Sequence, residues 1–278
     1  QGNAIIICVA RALRSLQKAG IFPDFAISLD PYDVKSQFRD IDLSHIPGVI
    51  LSATSHPNLF ELSDTTLISF SANTEAEGWL FDAEDNVTEM ASGGSVSCAA
   101  MSVGLHWGCN PIMLVGQDLS FPGGQFYHGP GTDGDTQAHY DEASNTWTLS
   151  GYSEDLAHTL KKRIESVGLT FSGTEVPGYY GGVVPTNPAF ASFRMWFELT
   201  AQDEAGRTEM LNCTEGGAHI GGMQHVPLHI AMDQLPERKV DTRSTLHQAS
   251  QAPLDSHRSL RMTNKSRRIH ASLNEAVE

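Results

Sequence analysis

A glycine, an amide and a carboxylate directly follow an apolar run in the segment GCNPIMLVGQDLSF, residues 108–121. The run at residues 112–115 has the composition of a buried strand, and Gly116, Gln117 and Asp118 stand at its exit. Open parallel sheets bind ligands beyond the carboxyl ends of their strands. The segment therefore predicts either a surface turn or part of a binding site, and the ends of the other strands must decide between them.

Polar side chains recur at other predicted strand ends. Asp30 follows the apolar run at residues 25–29, while Ser52 and Asn73 end two later runs. A turn or a cap explains each of these residues equally well when it is taken alone. Because several of them would meet Asp118 at one edge of a parallel sheet, the set as a whole favours a binding site.

The segment LNCTEGGAHIGG, residues 211–222, repeats this arrangement. Asn212 ends a predicted strand, and Glu215 comes before the pair Gly216 and Gly217. Glycines allow a ligand to approach the backbone closely, and they also serve tight turns that need a positive φ. The segment predicts a second part of the binding edge, with a plain turn as the alternative.

The segment SGGS, residues 92–95, opens a predicted helix. Gly93, Gly94 and Ser95 would present backbone N–H groups at the positive end of that helix, which suits a phosphate or a carboxylate. The spacing matches neither the P-loop nor GxGxxG nor GxSxG. A simple N-cap is therefore the alternative that the sequence leaves open.

A histidine in a glycine-rich segment is a candidate base. His128 follows Tyr127 shortly after Asp118, and a histidine near a strand-end carboxylate could accept a proton or contact a phosphate. An exposed loop histidine explains the residue equally well. Tyr127, Tyr179 or Tyr180 could donate a hydrogen bond to a phosphate.

The elements that must position these residues alternate between strands and helices. The run NAIIICV, an amphipathic helix ending at Gly20 and the strand at residues 25–29 form a β-α-β unit, which makes parallel strands. The strands GVILSAT and TTLISFSAN follow, and then the helix GGSVSCAAMSVGLHWG with Gly108 just past its end. This pattern predicts an α/β fold with a doubly wound, mostly parallel sheet flanked by helices.

The second half of the chain predicts fewer regular elements. Residues 122–153 are rich in Gly and Asp and predict a long Gly-rich loop. Two amphipathic helices are predicted at residues 153–169 and 186–202, the second with Asn187 as N-cap and Pro188 at its first position. The run TEMLN is predicted as the last strand.

Composition and charge exclude several classes of protein. The chain has 278 residues, 40% of them hydrophobic, and a net charge of -15, which argues against nucleic acid as a partner. No run is long enough to span a membrane. Cys8, Cys98 and Cys109 predict reduced core thiols of a cytoplasmic protein, and the absence of CxxC or HExxH motifs predicts no metal site.

The chain divides by composition near residue 236. Residues 1–236 form the predicted α/β domain, whereas residues 237–278 are polar and hold eight Lys or Arg against five Asp or Glu. We expect this basic tail to be helical or disordered and to add little to the core.

Three segments together resemble one family. AIIICVARALRSLQKAGIFPDFAISLDP, ASGGSVSCAAMSVGLHWGCNPIMLVGQDLSF and LNCTEGGAHIGG are similar to the motility accessory factor (Maf) family, also described as 6-hydroxymethylpterin diphosphokinase MptE-like. The middle segment also resembles bacterial sialyltransferases that use CMP-sialic acid. The resemblance covers roughly residues 3–225. It implies a Rossmann-like, sialyltransferase-like domain.

The resemblance also implies site residues. Gly93, Gly94 and Ser95 would meet the nucleotide phosphate or the sugar, and the family often has a histidine at the position of His128.

Two walls of a cleft are implied as well. The walls consist of residues from the strand exits, namely Asp30, Gln117 and Asp118 on one side and Glu215, Gly216 and Gly217 on the other. The family usually has a GPSL-like phosphate loop before the segment that opens this chain. We therefore expect this sequence, which starts with Gln1, to lack part of the nucleotide site.

Three functions remain open at this point. The first is transfer of a nonulosonic acid from a CMP-activated donor to Ser or Thr of flagellin. The second is a Mg²⁺-dependent pyrophosphokinase acting on 6-hydroxymethylpterin, with Asp30 and Asp118 holding metal and phosphates. The third is a non-catalytic module that binds a nucleotide sugar or flagellin.

Overall fold

Twelve strands are present in the part of the chain that the computed structural model describes, namely residues 3–70, 90–121, 137–150, 170–237 and 241–251. In chain order they are β1 (Ile7–Val9), β2 (Phe25–Ser28), β3 (Gly48–Ser52), β4 (Thr66–Phe70), β5 (Ile112–Leu114), β6 (Gln137–Asp141), β7 (Thr146–Ser150), β8 (Thr170–Ser172), β9 (Thr174–Pro177), β10 (Val183–Thr186), β11 (Met210–Asn212) and β12 (Gln224–His225). The α-helices of the same ranges are α1 (Leu13–Lys18), α2 (Val96–His106), α3 (Pro188–Asp203), α4 (Leu228–Asp233) and α5 (Thr242–Gln251). None of these helices is long and apolar enough to cross a membrane.

Two parallel sheets carry the fold. The first has the order β1-β2-β3-β4, and its strands β2 and β3 are buried along their whole length, as expected for strands covered on both faces. The second has the order β12-β11-β5 and is also parallel. The predicted α/β class with parallel strands and flanking helices is confirmed.

One part of the topology prediction is wrong. We expected Asp30, Asp118 and Glu215 to follow strands of a single sheet, but β2 lies in the four-stranded sheet while β5 and β11 pair with each other. The apolar runs identify strands correctly. They carry no information on which short strands pair, because packing of distant segments decides that.

Local signals at helix ends are confirmed. Gly20 has a φ of +72°, and the N–H of Ile21 donates to the carbonyl of Leu16 at 2.9 Å, which closes α1 as a C-capping glycine does. Gly108 likewise follows α2 with a φ of +69°, and Asn187 caps α3 through its side chain. These signals depend only on neighbouring residues, so the sequence is sufficient to predict them.

Helix α2 packs on both parallel sheets through two different faces. Ala99 and Val103 belong to the core over the first sheet, together with residues of β2 and β3. Cys98 and Met101 belong to the core over the second sheet, together with Leu114 of β5. The helix therefore joins the two sheets into one fold.

The direction of α2 fixes which ends of the strands lie together. Trp107, just past the end of α2, contacts the Phe25 ring at the start of β2, with ring centroids 4.8 Å apart. A Cβ added to Gly104 would lie 3.5 Å from the Cδ1 of Ile112 at the start of β5. Helix α2 thus runs antiparallel to both β2 and β5, and its N-terminus points to the carboxyl side of both sheets.

An antiparallel unit replaces part of the predicted loop at residues 122–153. Strands β6, β7 and β8 form a three-stranded sheet, and Tyr140 pairs across it with Trp147. Trp147 is buried and its ring lies 4.8 Å from that of Phe121. Thr and Trp favour strands, so tertiary packing and β propensity outweigh the polar composition of residues 137–150.

Other expectations have mixed outcomes. The run TEMLN forms β11, but it is not the last strand, since β12 follows it. The helix predicted at residues 153–169 and the strand-end residue Asn73 lie outside the described residues.

The four cysteines are free thiols. Burial raises the pKa of Cys8 to about 12 and that of Cys98 to about 11. Both are core thiols, as predicted. Cys109 is only half-buried, because it lies after the end of α2 rather than on its packed face.

The expectation that the tail adds little to the core is wrong for α5. Thr242 is buried and its hydroxyl donates to Asp24 Oδ1 at 2.9 Å, while Asp24 Oδ2 accepts the N–H of Ile6 at 2.9 Å. Leu246 packs against the core of the first sheet. The composition changes near residue 236, but the packing continues beyond it.

We expect truncation after Glu237 to lower the free energy of unfolding by about 1 to 2 kcal/mol, since it removes the Leu246 contact and the Thr242–Asp24 hydrogen bond. The matched control is truncation after Gln251, which keeps every contact of α5 named above. Thermal or urea unfolding of the two proteins measures the difference. Equal midpoints would show that α5 does not stabilise the sheet.

Candidate functional site

Two groups of polar residues lie on the carboxyl side of the sheets. The first edge cluster follows β1, β2 and β3 and consists of Arg11, Asp30, Ser55 and His56. The second edge cluster follows β5 and β11 and consists of Gln117, Asp118, Asn212, Thr214, Glu215, Gly216 and Gly217. The N-terminus of α2 points to the same side of both sheets.

Asp30 is the central residue of the first edge cluster. Its carbonyl accepts the N–H of His56 at 2.9 Å, and the Ser55 hydroxyl donates to the carbonyl of Ser28 at 3.2 Å. Burial raises the pKa of the Asp30 carboxyl, and the positive charge of Arg11 acts against that rise. A partly desolvated carboxylate beside an arginine is a reasonable candidate for proton transfer or ligand binding.

The second edge cluster is held together by contacts between its two loops. The N–H of Gln117 donates to the Thr214 hydroxyl at 3.0 Å, and the N–H of Ala218 donates to the carbonyl of Asp118 at 2.7 Å. Gly217 packs directly on the Asp118 backbone, and a Cβ added there would lie 2.5 Å from the Asp118 Cα. The position of Asp118 is therefore fixed by the loop that contains Gly217.

Gly216 lies beside the Asp118 carboxylate. A Cβ added to Gly216 would lie 3.9 Å from Asp118 Oδ1 and would meet no other atom of the described residues within 4 Å. Gly217 thus packs tightly against the Asp118 backbone, whereas Gly216 has only a loose contact with the Asp118 carboxylate.

Glu215 has a structural role that the sequence did not indicate. It has a φ of +58°, and its Oε1 accepts the N–H of Leu228, the first residue of α4, at 2.9 Å. The side chain is exposed. Its carboxylate orients α4 relative to the loop, and its part in a cleft wall stays a prediction.

Asn212 holds a buried donor without a partner. Its Oδ1 accepts the N–H of Thr214 at 3.1 Å, but its Nδ2 has no hydrogen-bond partner among the described residues, and the residue is fully buried. The hydroxyls of Ser28, the last residue of β2, and of Ser120 also have no hydrogen-bond partner among the described residues. Buried polar groups are normally paired with protein or with an ordered water.

The SGGS segment fits the capping alternative. Ser95 is the N-cap of α2, and its hydroxyl accepts the N–H of Cys98 at 3.1 Å. Gly93 has a φ of +56°, and a Cβ added there would lie 2.6 Å from the Trp196 ring of α3. Gly94 has a φ of +83° and lies close to Phe193. The glycines thus permit close packing of α3, and their contact with a phosphate stays a prediction.

The tyrosines of the turn between β9 and β10 do not match the role expected for them. The hydroxyl of Tyr179 donates to the carbonyl of Asn212 at 3.2 Å, and that of Tyr180 donates to the carbonyl of Glu215 at 2.9 Å. Each hydroxyl has one proton, so neither can donate to a phosphate while these bonds persist.

Two further candidates, Tyr127 and His128, lie outside the described residues, and their roles stay predictions. Sequence reasoning missed Arg11, whose position in a helical pattern gives no signal. It also missed the stacked pair His219 and His225, whose ring centroids are 4.2 Å apart. Only contacts between distant segments reveal these residues.

The fold is α/β, and the two clusters lie on the side of the parallel sheets where proteins of this fold class commonly bind ligands. Residues 1–124 match the family model described as 6-hydroxymethylpterin diphosphokinase MptE-like. The predicted resemblance is confirmed, since residues 1–124 match this family model and the fold is similar to that of a Maf glycosyltransferase.

A solved structure gives the likeness in fold. It is described as the structure of MAf glycosyltransferase from Magnetospirillum magneticum AMB-1, and it matches with a TM-score of 0.59 and 19% sequence identity. The match covers 87% of this chain and 32% of that chain, so this chain spans about a third of the length of that protein. No curated protein matches this chain.

Proposed function

We propose that this chain carries the nucleotide-sugar-binding part of a glycosyltransferase. The observation that supports the proposal is the likeness in fold to the Maf glycosyltransferase over 87% of this chain. The two edge clusters lie where a fold with parallel strands binds nucleotides. The four free cysteines suit a reducing compartment, and the proposed location is the cytoplasm.

The proposed donor is a CMP-activated nonulosonic acid, and the proposed acceptor is a Ser or Thr hydroxyl of flagellin. In this reaction the acceptor oxygen forms a bond to the anomeric carbon, while the bond from that carbon to the phosphate oxygen of CMP breaks. CMP leaves with the electron pair, and the hydroxyl proton passes to a base. His128, Asp118 and Asp30 are the candidate bases.

Asp118 is supported as a base by its surroundings. Its backbone is held by Ala218 and packs on Gly217, and Gly216 lies beside its carboxylate. A base must be held within hydrogen-bond reach of the proton that it accepts. The fixed position of the Asp118 backbone supports this proposed role.

A second candidate is the Mg²⁺-dependent pyrophosphokinase, which the description of the matching family favours. In that reaction the oxygen of a pterin alcohol would form a bond to the β-phosphorus of ATP, the bond from that phosphorus to the AMP oxygen would break, and AMP would leave while a base accepts the hydroxyl proton. Carboxylates such as Asp30 and Asp118 would repel the phosphates unless a cation lay between them. The two candidates therefore differ in their need for a metal.

A ligand-binding experiment on the full-length protein separates them. A ligand that binds only the folded state stabilises it by about 2.7 kcal/mol at a hundredfold excess over Kd. We expect stabilisation by CMP or CDP without added metal, because the proposed donor carries a single phosphate. Thermal shift with CMP, CDP and ATP, each with and without Mg²⁺, measures it.

Two other results of the thermal-shift experiment would favour the alternative functions. A shift with Mg-ATP alone would favour the pyrophosphokinase over the glycosyltransferase. No shift with any nucleotide would favour a non-catalytic module that binds flagellin.

A further inference from the structure

Four aromatic rings form a row beside the second edge cluster. The Tyr180 and Tyr179 rings meet edge to face with centroids 4.8 Å apart, and Tyr179 meets His225 in the same way at 4.8 Å. His225 then stacks on His219 with an angle of 14° between the rings. The row begins in the β9–β10 turn and ends beside β12.

The turn that carries the tyrosines is fixed to the loop at residues 212–219. Besides the two hydroxyl bonds to Asn212 and Glu215, the N–H of Tyr179 donates to the carbonyl of Gly217 at 2.8 Å. Gly178 pairs with Ala218 in a β-bridge. The turn is thus attached to the same loop that positions Asp118.

Tyr180 nevertheless remains open to solvent, with 79% of its surface exposed. Its hydroxyl is held by the carbonyl of Glu215, so the ring has already lost much of its rotational freedom before any ligand binds. Among the described residues, a Cβ added to Gly181 or Gly182 would meet nothing within 4 Å, so the two glycines that follow Tyr180 in the turn are not packed against other segments. A fixed, exposed aromatic face of this kind is preorganised for stacking.

The neighbouring groups favour a neutral, planar ligand over a phosphate at this position. Both tyrosine hydroxyl protons are already donated to carbonyls. Burial lowers the pKa of His225, and its Nε2 accepts the N–H of Ile220 at 3.2 Å, so this ring is neutral.

We propose that the ring of Tyr180 is a stacking surface for the nucleobase of a nucleotide ligand, held in place by the turn and the loop at residues 212–219. Stacking needs only the flat face of a base and is insensitive to its hydrogen-bonding pattern. The inference rests on the proposed function for the presence of a nucleotide, but it does not depend on which nucleotide binds.

The test compares dissociation constants of CMP, Mg-ATP and inorganic pyrophosphate for the full-length protein and its variants, measured by titration calorimetry. Tyr180→Ala is expected to raise the dissociation constant of whichever nucleotide binds by about 5- to 150-fold. This range corresponds to the typical free-energy cost of removing a side chain that stacks on a base. Binding of pyrophosphate, which has no base, is expected to be unchanged. Tyr180→Phe keeps the ring and should show a smaller loss.

A control variant tests whether the loss of nucleotide binding is specific to Tyr180. Val183→Ala removes another exposed side chain next to the same turn and should leave nucleotide binding unchanged. Unfolding curves of each apo variant show that it is folded. Equal nucleotide affinity in Tyr180→Ala and wild type, or a parallel loss for pyrophosphate, would overturn the stacking role.

The experiment also separates this inference from the proposed function. One outcome is that the wild-type protein binds Mg-ATP but not CMP, and that Tyr180→Ala weakens binding of Mg-ATP. This result would support the stacking role and contradict the CMP-dependent glycosyltransferase. If neither nucleotide binds the wild-type protein, both are overturned.

Discussion

Replacement of Gly217 by alanine is expected to lower the free energy of unfolding by about 2 to 5 kcal/mol. Gly217 has a φ of +68°, which costs about 1 to 2 kcal/mol for a residue with a Cβ. The added Cβ would lie 2.5 Å from the Cα and 2.8 Å from the carbonyl carbon of Asp118. Backbone atoms cannot rotate away from it, because the N–H of Ala218 holds the Asp118 carbonyl at 2.7 Å.

Gly216 provides the matched control for this prediction. It is adjacent in sequence, its φ is not positive, and within the described part of the chain its added Cβ would approach only Asp118 Oδ1, at 3.9 Å. Gly216→Ala should therefore change stability by less than about 1 kcal/mol. Urea unfolding of both variants measures the difference, and nucleotide binding should weaken in Gly217→Ala, since Asp118 must move. Similar unfolding midpoints for the two variants would contradict the close backbone contact.

The contrast between these two glycines shows what the sequence can and cannot predict. The pair follows Glu215 at a strand exit, and the sequence leaves both ligand approach and a positive φ open. The structure shows that Gly217 has the positive φ and packs tightly against the Asp118 backbone, whereas Gly216 has only a loose contact with the Asp118 carboxylate. That distinction depends on Asp118, which lies about a hundred residues earlier in the chain and which no local pattern connects to the glycines.

Features set by neighbouring residues were predicted well. The C-capping Gly20 and the N-cap Asn187 follow from short-range rules of helix geometry. The polar exits of β2 and β5 also follow, because the apolar runs mark where those strands end.

Features set by long-range contacts were missed. Pairing of β5 with β11 joins Ile112 to Met210, and docking of α5 joins Thr242 to Asp24. Such contacts depend on which surfaces remain uncovered once the rest of the chain has packed. The attachment of the tyrosine turn to the loop at residues 212–219 belongs to the same class, and so the role of Tyr180 could be inferred only from the structure.

The second large effect is expected at Gly93. Gly93→Ala should lower the free energy of unfolding by about 2 to 5 kcal/mol, because it combines a φ of +56° with a clash. The added Cβ would lie 2.6 Å from the Cys98 Cβ and from the Trp196 Cδ2. The clash lies between α2 and α3, so relief of it requires these helices to separate.

Gly108→Ala isolates the contribution of the backbone conformation. Gly108 has a φ of +69°, but an added Cβ would meet no atom of the described residues within 4 Å, so we expect only the cost of about 1 to 2 kcal/mol for the left-handed conformation. The excess destabilisation of Gly93→Ala over Gly108→Ala, measured by urea unfolding without ligand, is the cost of the clash with α3. A Gly93→Ala protein that is as stable as Gly108→Ala but binds nucleotide more weakly would instead show that Gly93 serves the phosphate. A Gly93→Ala protein that is less stable than Gly108→Ala in the absence of ligand would show that packing of α2 against α3 requires Gly93.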